Sequence, residues 1–358
     1  MSMFQKDELE VVGMYPDVNG RSVEKLNTPI TPKENFQRLL QGEKPLWIPM
    51  DGDVIRLTPA IVPDHRARGF VMEAQSFDPN REGGGPDMFG VEWEWVPKAG
   101  GSMVRPGNPK VKNIAEWETD IVFPELDRWP WEASAEANRM FIDQEERLVG
   151  ITIMNGLFER LVSFTDMGEA MISLVDEECQ EGVKRLFDRL ADFYLDMSGR
   201  FRQYFRMDLL VFHDDWGSQR APLFSLETCR EMVVPYLKRI VDGAHSMGVA
   251  FELHSCGKNE LLVPAMVEAG VDLWNGQEVN DKKLLCDRYG DHMLFGAAPA
   301  DLTPESSPEE VRASYQRFVE EFQGYRIYGG MARGVSAGRR VCYELSRVAL
   351  FKEQGREE

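Results

Sequence analysis

His254 and Cys256 are the pair of side chains in this sequence best suited to bind a metal. They lie two positions apart at the end of an apolar run, residues 249–253. Because side chains of a strand alternate between its two faces, Glu252, His254 and Cys256 are expected to share one face. Zn2+ prefers nitrogen and thiolate ligands. We therefore predict a zinc site at His254 and Cys256, with Glu252 as a candidate catalytic residue beside it.

Two further residues are candidates for completing this metal site. A catalytic zinc needs one or two more protein ligands and an open position. Glu278, after the next predicted strand, is the candidate third ligand, and Cys342 is the candidate fourth. Cys342 falls early in a helix predicted over residues 338–354, so its thiol could instead face the core. A His-x-Cys pair also fits two buried structural side chains, and only its position at a strand end favours a metal.

Asp214 and Asp215 follow another apolar run, residues 209–212. Either carboxylate could orient a metal ligand or protonate a leaving oxygen, because both roles need only hydrogen-bond contact. Acidic residues after a strand also often cap the next helix, which is a purely structural role. We predict that one of the two is catalytic.

Short apolar runs alternate with amphipathic segments through the second part of the chain, as buried parallel strands and their connecting helices do. The runs are residues 148–154, 209–212, 249–253, 271–274, 293–295 and 326–328. With a strand at 45–49 and an eighth expected within 60–95, the predicted fold is a (β/α)8 TIM barrel. An open doubly wound sheet is the alternative, although no glycine-rich dinucleotide motif follows any strand.

The predicted barrel is one domain over residues 1–358 with two elaborations. Residues 1–44 are predicted to be an N-terminal helical extension, whose helix begins at the capping box formed by Thr31 and Glu34. Residues 83–109 are rich in Gly and Pro and contain alternating apolar positions. That pattern predicts a β-hairpin insertion.

Charge and hydropathy exclude several classes of partner. Lys and Arg number 41 against 60 Asp and Glu, a formal charge of -19. Such a surface repels nucleic-acid phosphates and anionic lipids. The sequence contains no apolar stretch of the roughly 20 residues that a membrane span needs, and no apolar signal core at its start. An odd number of cysteines suits a reducing compartment, so we predict a cytoplasmic protein. A homodimer is left open.

Several ordered motifs resemble the uroporphyrinogen decarboxylase superfamily, clearly so from about residue 147 onward. The segments are His213-Asp214-Asp215-Trp216-Gly217-Ser218-Gln219, Pro222-Leu223-Phe224-Ser225, Pro235-Tyr236-Leu237-Lys238, His254-Ser255-Cys256-Gly257, Ala269-Gly270-Val271-Asp272 and Tyr289-Gly290-Asp291. The resemblance implies a TIM barrel. It also implies one of two activities: decarboxylation of a porphyrinogen, or zinc-dependent methyl transfer with a corrinoid protein.

The segment after the first predicted strand favours the methyltransferase branch. Decarboxylases of the superfamily carry an arginine-rich segment there, whereas this chain has Asp51 and Asp53, with Arg56 as the nearby cation. A polycarboxylate substrate is repelled by such a segment. Methyltransferases of the superfamily have a His-x-Cys pair and a distant cysteine after the last strand. His254 and Cys256 match the pair, but residues 329–333 contain no cysteine. Glu278 is similar in position to a glutamate of the cobalamin-independent methionine synthase barrel.

The resemblance thus implies a methyltransferase that moves a methyl group between a small methylated substrate and a separate corrinoid protein. A methoxylated aromatic or a methylamine-like compound would be such a substrate, with zinc as the Lewis acid. The sequence has no cobalamin-binding motif, so a partner protein must carry the corrinoid. The alternatives are decarboxylation of a tetrapyrrole, and a non-enzymatic barrel in which His254 and Cys256 are merely buried.

Overall fold

The computed structural model describes residues 3–329 and 338–354. Its strands, in chain order, are β1 (Val11–Pro16), β2 (Ser22–Leu26), β3 (Val54–Leu57), β4 (Gly85–Pro86), β5 (Glu92–Val96), β6 (Gly101–Val104), β7 (Leu148–Ile153), β8 (Leu209–His213), β9 (Ala250–Ser255), β10 (Leu273–Gly276), β11 (Leu294–Ala297) and β12 (Ile327–Gly329).

The helices, in the same order, are α1 (Pro32–Leu40), α2 (Pro63–Ala67), α3 (Pro79–Glu82), α4 (Trp131–Ala137), α5 (Arg139–Ile142), α6 (Leu157–Phe164), α7 (Met167–Ser173), α8 (Glu177–Phe205), α9 (Leu226–Met232), α10 (Val234–Ser246), α11 (Val263–Glu268), α12 (Lys282–Tyr289), α13 (Pro308–Glu321) and α14 (Gly338–Gln354). In the described part of the chain, no helix is long and apolar enough to cross a membrane.

A curled parallel sheet of seven strands forms the centre of the fold, in the order β12-β11-β10-β9-β8-β7-β3. Its strands are buried on both faces, as all six residues of β7 show, because helices cover the outer face. Inside the curl, Phe36 and Leu39 of α1 pack on apolar residues near the amino ends of the strands. We call this interior group the basal cluster; its members are Phe36, Leu39, Val54, Leu148, Leu209, Val211, Leu273, Leu294 and Tyr328.

The sheet confirms the predicted TIM-barrel-like fold, but it has seven strands among the described residues where eight were predicted. The position of one strand also differs from the prediction. All six apolar runs are strands, but residues 60–95 contribute no strand to the parallel sheet. The seventh strand is β3, which directly follows the acidic turn. Residues 45–49, predicted as a strand, are instead irregular, with a bend at Leu46 and Trp47. The carbonyl of Pro49 accepts a hydrogen bond from the Gly329 amide at 2.7 Å. Met50 also forms a parallel bridge with Gly329, so this segment links β12 back to the β3 side.

The insertion at 83–109 is a three-stranded antiparallel sheet, β4-β5-β6, separate from the parallel one. Trp93 is buried while Glu92 and Glu94 are exposed, the alternation of a sheet with one solvated face. Arg160 of α6 pairs with Asp87 of the insertion at 2.6 Å, and both side chains are fully buried. An ion pair therefore anchors the insertion to the barrel.

The N-terminal extension is only partly helical. Helix α1 begins at the predicted capping box of Thr31 and Glu34, but β1 and β2 form an antiparallel pair before it. Val11, Val12, Tyr15 and Val23 are β-branched or aromatic residues, which favour strands over helices.

Candidate metal and catalytic site

His213 and His254 lie side by side at the carboxyl ends of β8 and β9, where they are paired in register. Their rings stack with centroids 4.6 Å apart and an interplanar angle of 25°. The thiol sulfur of Cys256 is 3.5 Å from Nε2 of His254. The structure thus brings together the predicted imidazole and thiol and adds a second imidazole.

Asp215 also belongs to this group of side chains. One ligand atom each from His213, Asp215 and His254 lie within 4.8 Å of one another, and across residues 3–329 and 338–354 no other three His, Cys, Asp or Glu side chains are so placed. Asp215 accepts a hydrogen bond from the amide of Cys256 at 2.6 Å. The carboxylate therefore fixes the loop that carries the thiol.

The surroundings of the two ligand candidates control their protonation. Burial lowers the pKa of His254 to about 3, and the neighbouring His213 acts in the same direction. The imidazole is therefore neutral and keeps a lone pair for a metal or a proton. Burial and the charge of Asp215 raise the pKa of the Cys256 thiol. A cation at this site would have to displace the thiol proton, as zinc does.

Glu159 and Arg68 orient His213. Nδ1 of His213 is 2.6 Å from a carboxylate oxygen of Glu159, and the other oxygen accepts from Arg68 at 2.8 Å. Burial alone would raise the pKa of Glu159, but the charges of Arg68 and His213 outweigh it and hold that pKa well below its usual range. Since Nδ1 faces the carboxylate, Nε2 is the nitrogen of His213 left for a ligand.

The loop after β9 is held by one of its own residues and by the loop after β10. Gly257 has a φ of 91°, and its amide donates to the side chain of Gln277 at 2.9 Å. Asn259 donates to the carbonyl of Cys256 at 2.7 Å, and Asn280 donates to the carbonyl of Gly257 at 2.9 Å. These bonds set where the thiol of Cys256 stands.

Asp214 caps a helix, the structural role considered above as the alternative for Asp214 and Asp215. Its carboxylate accepts from the amides of Phe158 and Glu159 at 3.1 and 2.8 Å, at the start of α6. It also accepts from the indole of Trp216 at 2.9 Å. Burial, with the charge of Glu159, raises the pKa of Asp214 to about 7. Asp214 caps a helix and supports Glu159, while Asp215 lies at the histidines.

The structure does not bring Glu278 and Cys342 to this cluster. Glu278 lines a separate cavity of about 400 Å3 together with Lys282 and Asp301. Cys342, on α14, is fully buried in the hydrophobic core, and burial raises the pKa of its thiol. Asp215 and His213 lie beside His254, where Glu278 and Cys342 were expected. The cysteine-free segment after the last predicted strand falls largely at residues 330–337, outside the described part.

Glu252 lies inside the barrel in the layer below His254. Its neighbours in register, Val211 and Leu273, belong to the basal cluster. One carboxylate oxygen of Glu252 accepts from Arg56 at 2.9 Å. Arg56 also donates to Asp51 at 2.9 Å and to the hydroxyl of Tyr328 at 2.7 Å. We call Asp51, Arg56, Glu252 and Tyr328 the interior polar group.

Sequence reasoning missed Arg68, Glu159 and the role of His213. Arg68 and Glu159 belong to no motif and are 91 positions apart in the chain, so only folding brings them together. His213 could have been found, because it opens the same polar stretch that contains the two aspartates.

Fold and site together define an α/β-barrel protein with titratable groups clustered at the carboxyl ends of its strands, the position of the active site in such barrels. Residues 166–329, a little under half of the chain, match the family uroporphyrinogen decarboxylase (URO-D). This match confirms the resemblance to that superfamily which the motifs predicted.

Solved structures resemble this chain to different degrees. A methyltransferase from Methanosarcina mazei is similar with a TM-score of 0.62 and 13% identity, over 90% of this chain and 99% of that one. D-psicose 3-epimerase from Clostridium cellulolyticum has a TM-score of 0.35 and 9% identity, over 63% of this chain and 83% of that one. A comparison with curated proteins finds no match.

Proposed function

We propose that this protein is a zinc-dependent methyltransferase that moves a methyl group between a small methylated substrate and the corrinoid of a partner protein. The observation that carries the proposal is the group formed by His213, Asp215 and His254 at the barrel mouth, with the thiol of Cys256 beside His254. The superfamily match and the methyltransferase-like fold agree with it.

The donor set fits zinc in type and in spacing. Two ligands of a tetrahedral zinc, a nitrogen at 2.0–2.1 Å and a sulfur at 2.3 Å from the metal, are about 3.6 Å apart. Nε2 of His254 and the sulfur of Cys256 are 3.5 Å apart. Either Asp215 or His213 is the candidate third protein ligand, in place of Glu278 and Cys342, which leaves the fourth position open for the substrate oxygen.

Bound there, zinc would supply a Lewis acid for the oxygen that loses its methyl group. The chain's own residues prepare that position. His254 offers a neutral nitrogen because it is buried. Asp215 fixes the loop of Cys256, and Glu159 turns Nδ1 of His213 away from the cluster.

The interior polar group argues against the decarboxylase alternative. The carboxylates of a porphyrinogen need free cations, but Arg56 is already bound by Asp51 and Glu252. Its charge is more than balanced by these two carboxylates. A polyanion entering the barrel would therefore be repelled.

The corrinoid partner is inferred from the proposed chemistry and from the superfamily resemblance. Methyl transfer needs an acceptor, and the sequence has no cobalamin-binding motif to supply one. The substrate must also be small, since the strand ends around His254 are tightly linked by hydrogen-bonded loops.

Metal content and methyl transfer test the proposal together. We expect about one zinc per chain in the purified protein, and its loss in Cys256→Ser. Cys179→Ser, a half-buried cysteine on α8, is the matched control and should keep the metal. Zinc-loaded protein should then methylate a cob(I)alamin-carrying protein from a methyl ether. A metal-free protein that instead binds porphyrinogens tightly would overturn the proposal.

A further inference from the structure

Glu252 has one carboxylate oxygen that the fold leaves without a partner. Its side chain is 1% exposed, and Oε2 accepts from Arg56. The second oxygen, Oε1, is buried and has no hydrogen-bond partner among the described residues. A buried carboxylate oxygen without a donor is energetically costly, so such an atom calls for a ligand or an explanation.

The unpartnered oxygen lies directly below the metal candidates. Glu252 and His254 are two residues apart on β9 and share its interior face, which puts them about 7 Å apart along the strand. A hydrogen bond of ~2.8 Å to Oε1 covers part of this separation. A ligand bound at the histidine cluster therefore needs only about three or four covalent bonds between its two binding atoms to reach Oε1.

The charges around this oxygen select the kind of group that binds there. Asp51 and Glu252 place two carboxylates against the one guanidinium of Arg56. The hydroxyl of Tyr328 is also committed, because it accepts from Arg56 and donates to Asp51 at 2.8 Å. The interior polar group thus has an acceptor without a partner and an excess of negative charge.

We propose that Glu252 Oε1 binds the end of the substrate remote from its methyl group, and that this end is an ammonium or a hydroxyl group. The inference rests on the proposed methyl transfer for the identity of the other end, a methyl ether oxygen at the histidine cluster. A substrate with a carboxylate at the remote end is excluded, because the carboxylate of Glu252 would repel it. Charge-assisted bonds to a carboxylate are the stronger ones, so the ammonium is the preferred form.

Three methyl ethers of nearly equal size test this assignment directly: 2-methoxyethylamine, 2-methoxyethanol and methoxyacetate. Binding to the zinc-loaded full chain is followed by ligand-observed NMR. We expect the amine to bind at least about tenfold tighter than methoxyacetate, with the alcohol between them. Glu252→Gln should reduce that preference by about tenfold or more. Glu252→Asp, which keeps the charge but withdraws the oxygen, should bind all three weakly and still favour the amine.

The control is Glu268→Gln, an exposed glutamate paired with Arg230, which should bind like the wild type. Equal binding of the three ethers, or an unchanged preference in Glu252→Gln, overturns the assignment. Ethanolamine separates it from the proposed function. If ethanolamine binds through Glu252 but no ether is demethylated, the methyl transfer fails and the assignment stands. If methoxyacetate is the ether that is demethylated, the proposed methyl transfer stands and the assignment of Glu252 fails.

Discussion

His213 and His254 are stacked neighbours whose surroundings push their pKa values in opposite directions. Their ring centroids are 4.6 Å apart. Burial lowers the pKa of His254 to about 3. Burial acts on His213 too, but the adjacent Glu159 outweighs it and raises the pKa of His213. The carboxylate of Glu159 thus gives two adjacent imidazoles different pKa values.

Glu159→Gln should weaken zinc binding, because the carboxylate that orients His213 would lose its charge. Groups that orient a metal-ligating histidine are worth about 10–100-fold in metal affinity. We expect a loss of that size in competition with a chelator, with an unchanged far-UV circular dichroism spectrum. Glu169→Gln, an exposed glutamate on α7, should bind zinc normally. Wild-type affinity in Glu159→Gln would show that His213 is not a ligand.

Gly257→Ala should disrupt the loop that carries Cys256. The φ of Gly257 is 91°, and an added Cβ would lie 2.2 Å from the backbone of Gly217, so the two loops would have to separate. We expect a loss of about 2–4 kcal/mol in the free energy of unfolding and a loss of bound zinc. Gly101→Ala adds a Cβ in open space at a φ outside the left-handed region and should change neither quantity. Full zinc content in Gly257→Ala would contradict the assigned role of the loop.

The strands that could be predicted from the sequence are those with apolar residues on both faces. The six apolar runs are of this kind, and their periodicity needs no knowledge of the rest of the fold. Strand β3 was missed because Arg56 interrupts its apolar pattern. An arginine inside a barrel becomes understandable only when Asp51 and Glu252 are seen beside it.

The candidate site was predictable where it follows the alternation of a single strand. Glu252, His254 and Cys256 lie on β9 or directly after it, and their shared face follows from geometry alone. The sequence could not show which of Asp214 and Asp215 has the structural role, because that depends on which carboxylate accepts hydrogen bonds from the amides at the start of α6. The contribution of Glu159 to His213 comes from a different helix, so no local pattern records it.

Asp87→Ala should destabilise the protein by about 3–5 kcal/mol. The Asp87 carboxylate accepts from the amides of Phe89 and Val91 at 2.9 Å and from the indole of Trp93 at 3.0 Å. It also pairs with the buried Arg160. Removing it leaves buried donors without an acceptor. Urea unfolding measures the change.

Two companion variants define what Asp87 does. Asp87→Asn keeps one acceptor oxygen and should lose less stability than Asp87→Ala. Glu94→Ala removes an exposed carboxylate of the same insertion and should change stability by no more than about 0.5 kcal/mol. If Asp87→Ala unfolds at the wild-type urea concentration, the insertion is not anchored through this residue.

His65 should make stability depend on pH between about 6.5 and 4. The ring is fully buried, and Nδ1 donates to the carbonyl of Pro59 at 2.7 Å. Burial lowers its pKa from 6.5 to about 4. Above pH 6.5 the imidazole is neutral in both the folded and the unfolded chain, so it adds no pH dependence. As pH falls below 6.5, the unfolded chain binds a proton that the folded chain resists, and stability is lost until about pH 4.

The size of this effect follows from the shift, at 1.36 kcal/mol per pH unit, which gives a loss of about 3 kcal/mol at pH 4. His65→Asn keeps a donor for the carbonyl of Pro59 but cannot take up a proton. The difference in unfolding free energy between wild type and His65→Asn should therefore change by that amount between pH 7 and 4, with the wild type losing more. Carboxylates that titrate in the same range are common to both proteins and cancel. A difference that stays constant across these pH values would mean that His65 is accessible to protons in the folded state.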